Sequence, residues 1–315
     1  MILVTAPLGF VGQHLIPRLI AQGEPVRLLL PARWHKRVPW PEAEIAEGSI
    51  FEGPSLYQAM TGVHTIYHLA SAQWWGGAND LEHVDLRGTA EVIEAARSAR
   101  VGRMIALSHL GAEPASAFSL LRSKGQMEAL IRKSGLAYTI FRCGVLFGPE
   151  DQFVNHLAMV LRSNPFFVFQ PSDGEMILNP LHVEDLSQAL VNALDKLDLI
   201  DQTLEIGGAE YITYNELLRT VMRVSRCRRT IVPLPPYLLR ALANLWRVSP
   251  FRFPITSQWF DLVSGNRAAD LSNLYAYTGV RPRRFEDTLL TYMPGRWYSL
   301  EYLRYLVSRR KRGVF

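Results

Sequence analysis

The sequence predicts an α/β protein built on a doubly wound parallel sheet, with a smaller, mostly helical subdomain toward its C-terminal end. Three observations carry this expectation. The first half alternates short β-branched or apolar runs with amphipathic segments, as βαβ units do. At 315 residues the chain suits one large domain with an appendage, and its core needs no disulfide or metal staple. Its opening stretch, TAPLGFVG at Thr5 to Gly12, runs from a strand through a glycine-bearing turn directly into an apolar-periodic segment.

Taken in order, strands are expected near Ile2 to Thr5, Val26 to Leu30, Thr65 to His68, Met104 to Leu107 and Ala137 to Phe141. Helices fall between them, near Phe10 to Gln22, Pro54 to Met60, Leu81 to Arg100 and Phe118 to Ser134. Residues 1–150 make the core. After FGPED, at Phe147 to Asp151, the rhythm loosens, and residues 151–315 divide into a part that returns to the sheet (175–232) and a helical lid with a basic aromatic tail (233–315). In the returning part, MILNPLHVEDLSQALVNAL reads as a strand and a helix starting near Val183. TLEIGGAEYITYNELLRTVMRV reads as a strand, a Gly-Gly turn and a helix whose Thr213 and Glu216 have capping-box spacing. The lid is the proline-punctuated apolar stretch from Leu234 to Val263.

The composition excludes several classes. Cys143 and Cys227, the only cysteines, match no ligand or redox spacing, and the eight histidines show no metal spacing, so neither a metal site nor a disulfide framework is expected. Asp185, near a helix start, is expected to act as a capping or dipole partner, and His182 beside it to be architectural. No signal-peptide pattern follows Met1 and no run of about 18 apolar residues occurs, which points to the cytoplasm. The net charge is +5, but from Arg281 to Phe315 nine basic residues face three acidic ones. There Trp297, Tyr298, Tyr302 and Tyr305 interleave with Leu300, Leu303, Leu306 and Val307 on a helical stripe, followed by Arg309, Arg310, Lys311 and Arg312. Such a tail suits a membrane protein complex or an anionic membrane surface on the cytoplasmic face. With no stacking platform, nucleic acid is not expected.

The opening turn is Rossmann-like in its chemistry. Free N–H groups and the dipole at a helix start converge on a pyrophosphate, Gly9 lets the backbone approach it, and Gly12 lets helix and strand pack closely. Ala6 stands where the first glycine is usual; at positive φ its β-carbon costs about 1 kcal/mol or more. After the second strand no acid precedes Glu42, whereas Arg33, Lys36 and Arg37 are at hand. This favours NADP(H) over NAD(H).

Read together, TAPLGFVGQHL, YHLAS at Tyr67 to Ser71, VDLRGTAEVIEAA at Val84 to Ala96 and LSHLGAE at Leu107 to Glu113 resemble the atypical and extended short-chain dehydrogenase/reductases. So do SKGQMEALIRKSGLAYTIFRCGVLFGP at Ser123 to Pro149 and LHVEDLSQAL at Leu181 to Leu190. Within that epimerase/dehydratase-like family the lid and the stretch VSGNRAADLSNLYAYTGVRPRRFEDTL look most like bacterial relatives of the NAD(P)H-binding accessory subunit of respiratory complex I. The resemblance implies a nucleotide site of Thr5, Gly9, Phe10, Val11, Gly12, Arg33, Ala70, Ser71, Ser108 and Lys124.

It also implies a catalytic tyrosine four residues before Lys124, with Ser108 polarising the same oxygen. That position is Leu120, which donates no proton. A Gly-Asp-Leu turn of the family reads Gly48, Ser49, Ile50 here, and a proline after Arg142 is Cys143. The expectation is therefore an NADP(H)-binding structural, assembly or accessory factor without the usual chemistry. The alternatives are a reductase or nucleotide-sugar epimerase/dehydratase with a different acid, Tyr138 being a poor substitute, or a scaffold that has lost its nucleotide.

Overall fold

The computed structural model describes residues 1–75, 77–248 and 253–308. The tail cations Arg309, Arg310, Lys311 and Arg312 lie outside the described residues, as does part of the lid.

Ile2, Leu3 and Val4 have no exposed surface, as expected of a strand covered on both faces. This strand, β1 (Ile2–Thr5), leads into α1 (Phe10–Ala21), β2 (Val26–Leu30), a 3-10 turn (Ala32–Arg37), β3 (Glu44–Glu47), α2 (Gly53–Met60) and β4 (Thr65–His68). There follow α3 (Ala78–Leu81), a π-helical segment (Glu82–Gly88), α4 (Thr89–Ser98), β5 (Arg103–His109), α5 (Ser119–Arg132) and β6 (Ala137–Cys143). The rest comprises β7 (Leu146–Phe147), α6 (Val154–Ser163), β8 (Phe167–Pro171), β9 (Ile177–Leu178), β10 (Leu181–His182), α7 (Val183–Asn192) and β11 (Gln202–Ile206). It ends with β12 (Ile212–Thr213), α8 (Tyr214–Val224), β13 (Thr230–Leu234), α9 (Pro236–Val248), α10 (Ser257–Leu262), α11 (Asn273–Thr278), α12 (Phe285–Tyr292) and α13 (Tyr298–Val307).

Seven parallel strands form one sheet in the order β11-β6-β5-β4-β1-β2-β3. Side chains alternate across it. Leu3, Ile66, Met104 and Ile140 pack beneath α2, α4 and α5, whereas Ile2, Val4, Tyr67, Ile105 and Phe141 pack beneath α1 and α7. The order reverses at β1 and β4, where Thr5 lies in register with His68, so the ligand crevice of such a sheet opens there.

The expected fold is present, with local differences, among them β7, and α6 with the paired strands β8 and β13, which the loosened rhythm after Asp151 did not reveal. Edge strand β3, EIAE, is largely exposed and carries no apolar run, which is why periodicity alone does not give it. The single helix expected from Leu81 to Arg100 widens into a π-turn. The strand before α7 splits into β9, paired with β12, and β10, paired with β7, because Asn179 and Pro180 interrupt it. The capping box of α8 forms as expected, Thr213 Oγ1 accepting from Glu216 N at 3.1 Å and Glu216 Oε2 accepting from Thr213 N at 2.8 Å.

The C-terminal helix α13 turns its tyrosines inward. Tyr298 Oη donates to Asn155 Oδ1 at 2.9 Å, and Tyr302 and Tyr305 pack against the core, so Leu300, Leu303 and Val307 face solvent. Among the described residues no helix is long and apolar enough to cross a membrane.

Candidate functional site

The turn after β1 is tight and strained. Ala6 has φ 51°, the left-handed region that the sequence left as a possibility. Gly9 N donates to Ala6 O at 3.0 Å, and a β-carbon on Gly12 would lie 2.3 Å from Pro7 O. Gly12 is therefore what lets the first turn of α1 press onto the loop. The helix has no acid in its first turn and no side-chain cap at Gly9, so its N–H groups and dipole remain directed at the crevice. Replacing Ala6 with glycine relieves the left-handed strain but frees the unfolded chain. We expect Ala6→Gly to raise the unfolding free energy by about 0.5–1 kcal/mol in urea titrations. A loss would mean that the β-carbon, buried in the core, contributes more through packing.

At the sheet's switch point the polar side chains are buried and mutually bonded. Thr5 Oγ1 accepts from Leu69 N at 3.0 Å and lies 3.3 Å from His68 Nδ1. Thr89 Oγ1 donates to Asp85 O at 2.7 Å, which leaves it to accept from His68 Nε2 at 2.9 Å. This chain of bonds assigns His68 the neutral tautomer protonated at Nε2. Burial, reinforced by the Lys124 cation, pushes its pKa down to about 4. His68 thus joins the network through its imidazole.

Lys124 projects from α5 into this cluster. Its ammonium lies 2.8 Å from Asp85 Oδ1, and both side chains are almost wholly buried. Asp85 Oδ2 accepts from Ala72 N at 3.0 Å, and Lys124 Nζ also approaches Leu107 O at 3.5 Å. Asp85 sits inside the π-turn, whose extra residue per turn sets it against α5. On the far side His109 Nε2 bonds Gln73 Oε1 at 2.6 Å, and burial with the Lys124 charge holds its pKa at about 3.

The other expected nucleotide residues are dispersed around this centre. Ala70 is buried beyond β4, and Ser71 Oγ accepts from Gln73 N at 3.3 Å. Phe10 and Val11 form the first turn of α1, and Arg33 is exposed in the 3-10 turn, where Arg37 stacks 4.6 Å above Trp34. Ser108 is not joined to Lys124: its hydroxyl donates to Glu128 Oε1 at 2.6 Å, within an ion network of buried Glu128 with Arg132 and Arg142.

Leu120 has no exposed surface. Its amide donates to Asp261 Oδ2 at 3.0 Å, Ser119 Oγ donates to the same oxygen at 3.2 Å, and Asp261 Oδ1 pairs with Arg240 at 3.0 Å. Asp261 of α10 therefore caps α5 from the C-terminal subdomain, and Trp259, Phe260 and Val263 share the buried cluster with Leu120. The position at which the resemblance implied a catalytic tyrosine thus carries a buried hydrocarbon side chain.

Asp185 in the first turn of α7 accepts from Arg283 N at 2.8 Å and pairs with Arg283 Nε at 3.3 Å, a tie between α7 and the segment before α12. A cavity of about 800 Å³ near it, lined by residues including His182, Glu184, Arg283 and Tyr292, contains none of the expected site residues. Among the described residues no group of three or more histidines, cysteines or acids is placed to hold a metal.

Sequence reasoning missed Asp85, Gln73, His109 and Asp261. Asp85 stood in the quoted VDLRGT segment, flanked by the apolar Val84 and Leu86. Nothing local linked it to Lys124, 39 positions later.

A protein-family model described as NAD(P)H-binding matches residues 8–161. The rat protein named NADH dehydrogenase [ubiquinone] 1 alpha subcomplex subunit 9, mitochondrial, is 26% identical over 310 residues, covering 93% of this chain and 80% of its own length. The photosystem II assembly factor Ycf39 of Cyanophora paradoxa is 29% identical over 161 residues, 48% of each chain. Among solved structures, a nucleoside-diphosphate-sugar epimerase from Staphylococcus aureus superposes with a TM-score of 0.72 at 15% identity, covering 92% of this chain and 99% of that one.

Proposed function

We propose that this chain, which belongs to the atypical, epimerase-like short-chain dehydrogenase/reductases, is a nicotinamide-nucleotide-binding accessory or assembly factor of a membrane-associated complex, and not a dehydrogenase. The observation that carries the reading is Leu120, buried and capped by Asp261 at the position where the family's acid would face a substrate. When bound, the nucleotide supplies a hydride at its nicotinamide. Around it, among the described residues, this chain offers two neutral histidines and a lysine cation paired to Asp85, and no tyrosine at the position four before Lys124.

The residues present fit a nucleotide. The first turn of α1, pressed onto the loop at Gly12 and without a side-chain cap or an acid, directs its N–H groups where a pyrophosphate would sit, and Lys124, oriented by Asp85, keeps donor capacity for a ribose hydroxyl. Arg33, with no acid at that strand end, favours the 2′-phosphate of NADP(H) over NAD(H). Thr5 and Ser108 serve the frame around the site. The exposed aliphatic stripe of α13 supports docking of the tail region on the membrane complex.

Two measurements test the reading. Denaturing the purified protein is expected to release a dinucleotide, or NADPH is expected to stabilise the apoprotein by about 2.7 kcal/mol at roughly a hundredfold excess over its Kd, and NADH at the same concentration by less. Absence of both effects rejects nucleotide binding. Hydride turnover over a panel of carbonyl compounds, abolished by Lys124→Ala, would make the protein an enzyme.

A further inference from the structure

After Asp151 the chain has two acid-free stretches of more than 20 residues. No acid lies between Asp151 and Asp173, and none between Glu216 and Asp261, whereas nine arginines do and no lysine does. The remaining chain holds 25 basic and 29 acidic residues, so positive charge is segregated into these stretches. The fold joins them. β8 pairs in parallel with β13, Thr230 opposite Phe167, and Thr230 N donates to Phe166 O at 3.0 Å.

The joined region is apolar where it meets solvent. Phe166, Phe167 and Phe169 are exposed, the latter two rings 5.0 Å apart. Helix α9, which follows β13, buries Leu239 and Ala243 but leaves Leu238, Leu242 and Leu245 outside, a stripe at helical spacing. Helices apolar on both sides are normally covered on both sides. Beside the phenylalanines, Arg162, Arg226 and Arg228 are exposed and enter none of the described ion pairs. Arg162 and Arg226 line a cavity with Trp297 and Leu300, which continues the surface onto α13.

We propose that β8, β13 and α9 form a docking surface for an anionic phospholipid bilayer. The leucines and phenylalanines enter the boundary between headgroups and acyl chains, and the arginine forks take headgroup phosphates. The absence of acids over both stretches removes the repulsion that would otherwise oppose the surface charge. Nucleic acid would satisfy the arginines but leave the leucine stripe wet. The proposal rests on the membrane-associated reading above for its setting, and is separable from nucleotide binding.

The test is flotation of the full-length protein with vesicles of phosphatidylcholine alone, or of equal parts phosphatidylcholine and phosphatidylglycerol. The protein is expected to float with the mixed vesicles only. The triple variant Arg162→Gln, Arg226→Gln, Arg228→Gln is expected to partition about a hundredfold more weakly, from about fivefold per cation. Leu238→Ser, Leu242→Ser, Leu245→Ser together should also lose flotation, with urea midpoints confirming that both variants fold. Unchanged flotation of either variant, equal binding to neutral vesicles, or no flotation of the wild type overturns the proposal, as does an oligonucleotide that binds the leucine variant but not the arginine variant. A missing NADPH shift with flotation intact defeats the nucleotide reading alone.

Discussion

Replacing Lys124 with methionine is expected to lower the unfolding free energy by about 3–5 kcal/mol, the range seen when one partner of a buried ion pair is removed. The ammonium and the Asp85 carboxylate are 2.8 Å apart with side chains 5% and 0% exposed, so water cannot solvate the survivor. Without the lysine, Asp85 keeps only the Ala72 amide. The double variant Asp85→Asn, Lys124→Met should recover most of the loss in urea unfolding, because it removes both charges. Stabilisation by NADPH should be missing from both, since the ribose donor is gone in each. Recovery of nucleotide stabilisation in the double variant would show that Lys124 serves the fold and not the ligand. A loss under about 1 kcal/mol in the single variant would place the pair in water.

Acidification gives the second large effect. His68, His109 and His182 are held neutral, chiefly by burial, with pKa values lowered from 6.5 to about 4, 3 and 4. The unfolded chain takes up protons near pH 6.5 while the folded one does not, so stability is lost as pH falls from there toward 4. Asp151 opposes this. Burial raises its pKa to about 6 from 3.8, so between those values the folded state binds the extra proton and gains stability. Asp185 and Asp261, also raised by burial, oppose it too, but the histidines dominate: the unfolding free energy should drop by about 3–4 kcal/mol between pH 7 and pH 5, at up to about 1.4 kcal/mol per pH unit for each histidine. Urea titrations at the two pH values check this, and a flat profile would mean that the imidazoles reach solvent.

The sheet was legible because its strands are apolar on both faces and its helices on one, patterns that survive without knowledge of neighbours. The glycine turn after β1 was legible because Gly9, Gly12 and Ala6 are local. What escaped was contact between distant segments. Ser108 has the right chemistry for a polarising hydroxyl, yet the buried Glu128 from α5 engages it. The partner of Lys124 comes from a π-turn, and no period in the sequence distinguishes that turn from an ordinary helix. The meaning of Leu120 was half legible. Its lack of a proton could be read directly, but its burial under a cap from α10 could not.

That cap also links the two ends of the proposed activity. Arg240 belongs to α9, the helix proposed to meet the membrane, and grips the carboxylate of Asp261, which holds the first turn of α5, the helix that carries Lys124 to Asp85. Surface and crevice are thus separated by one shared acid. Were nucleotide uptake to shift α5 and so change membrane affinity at α9, linkage would require membrane binding to change nucleotide affinity by the same factor.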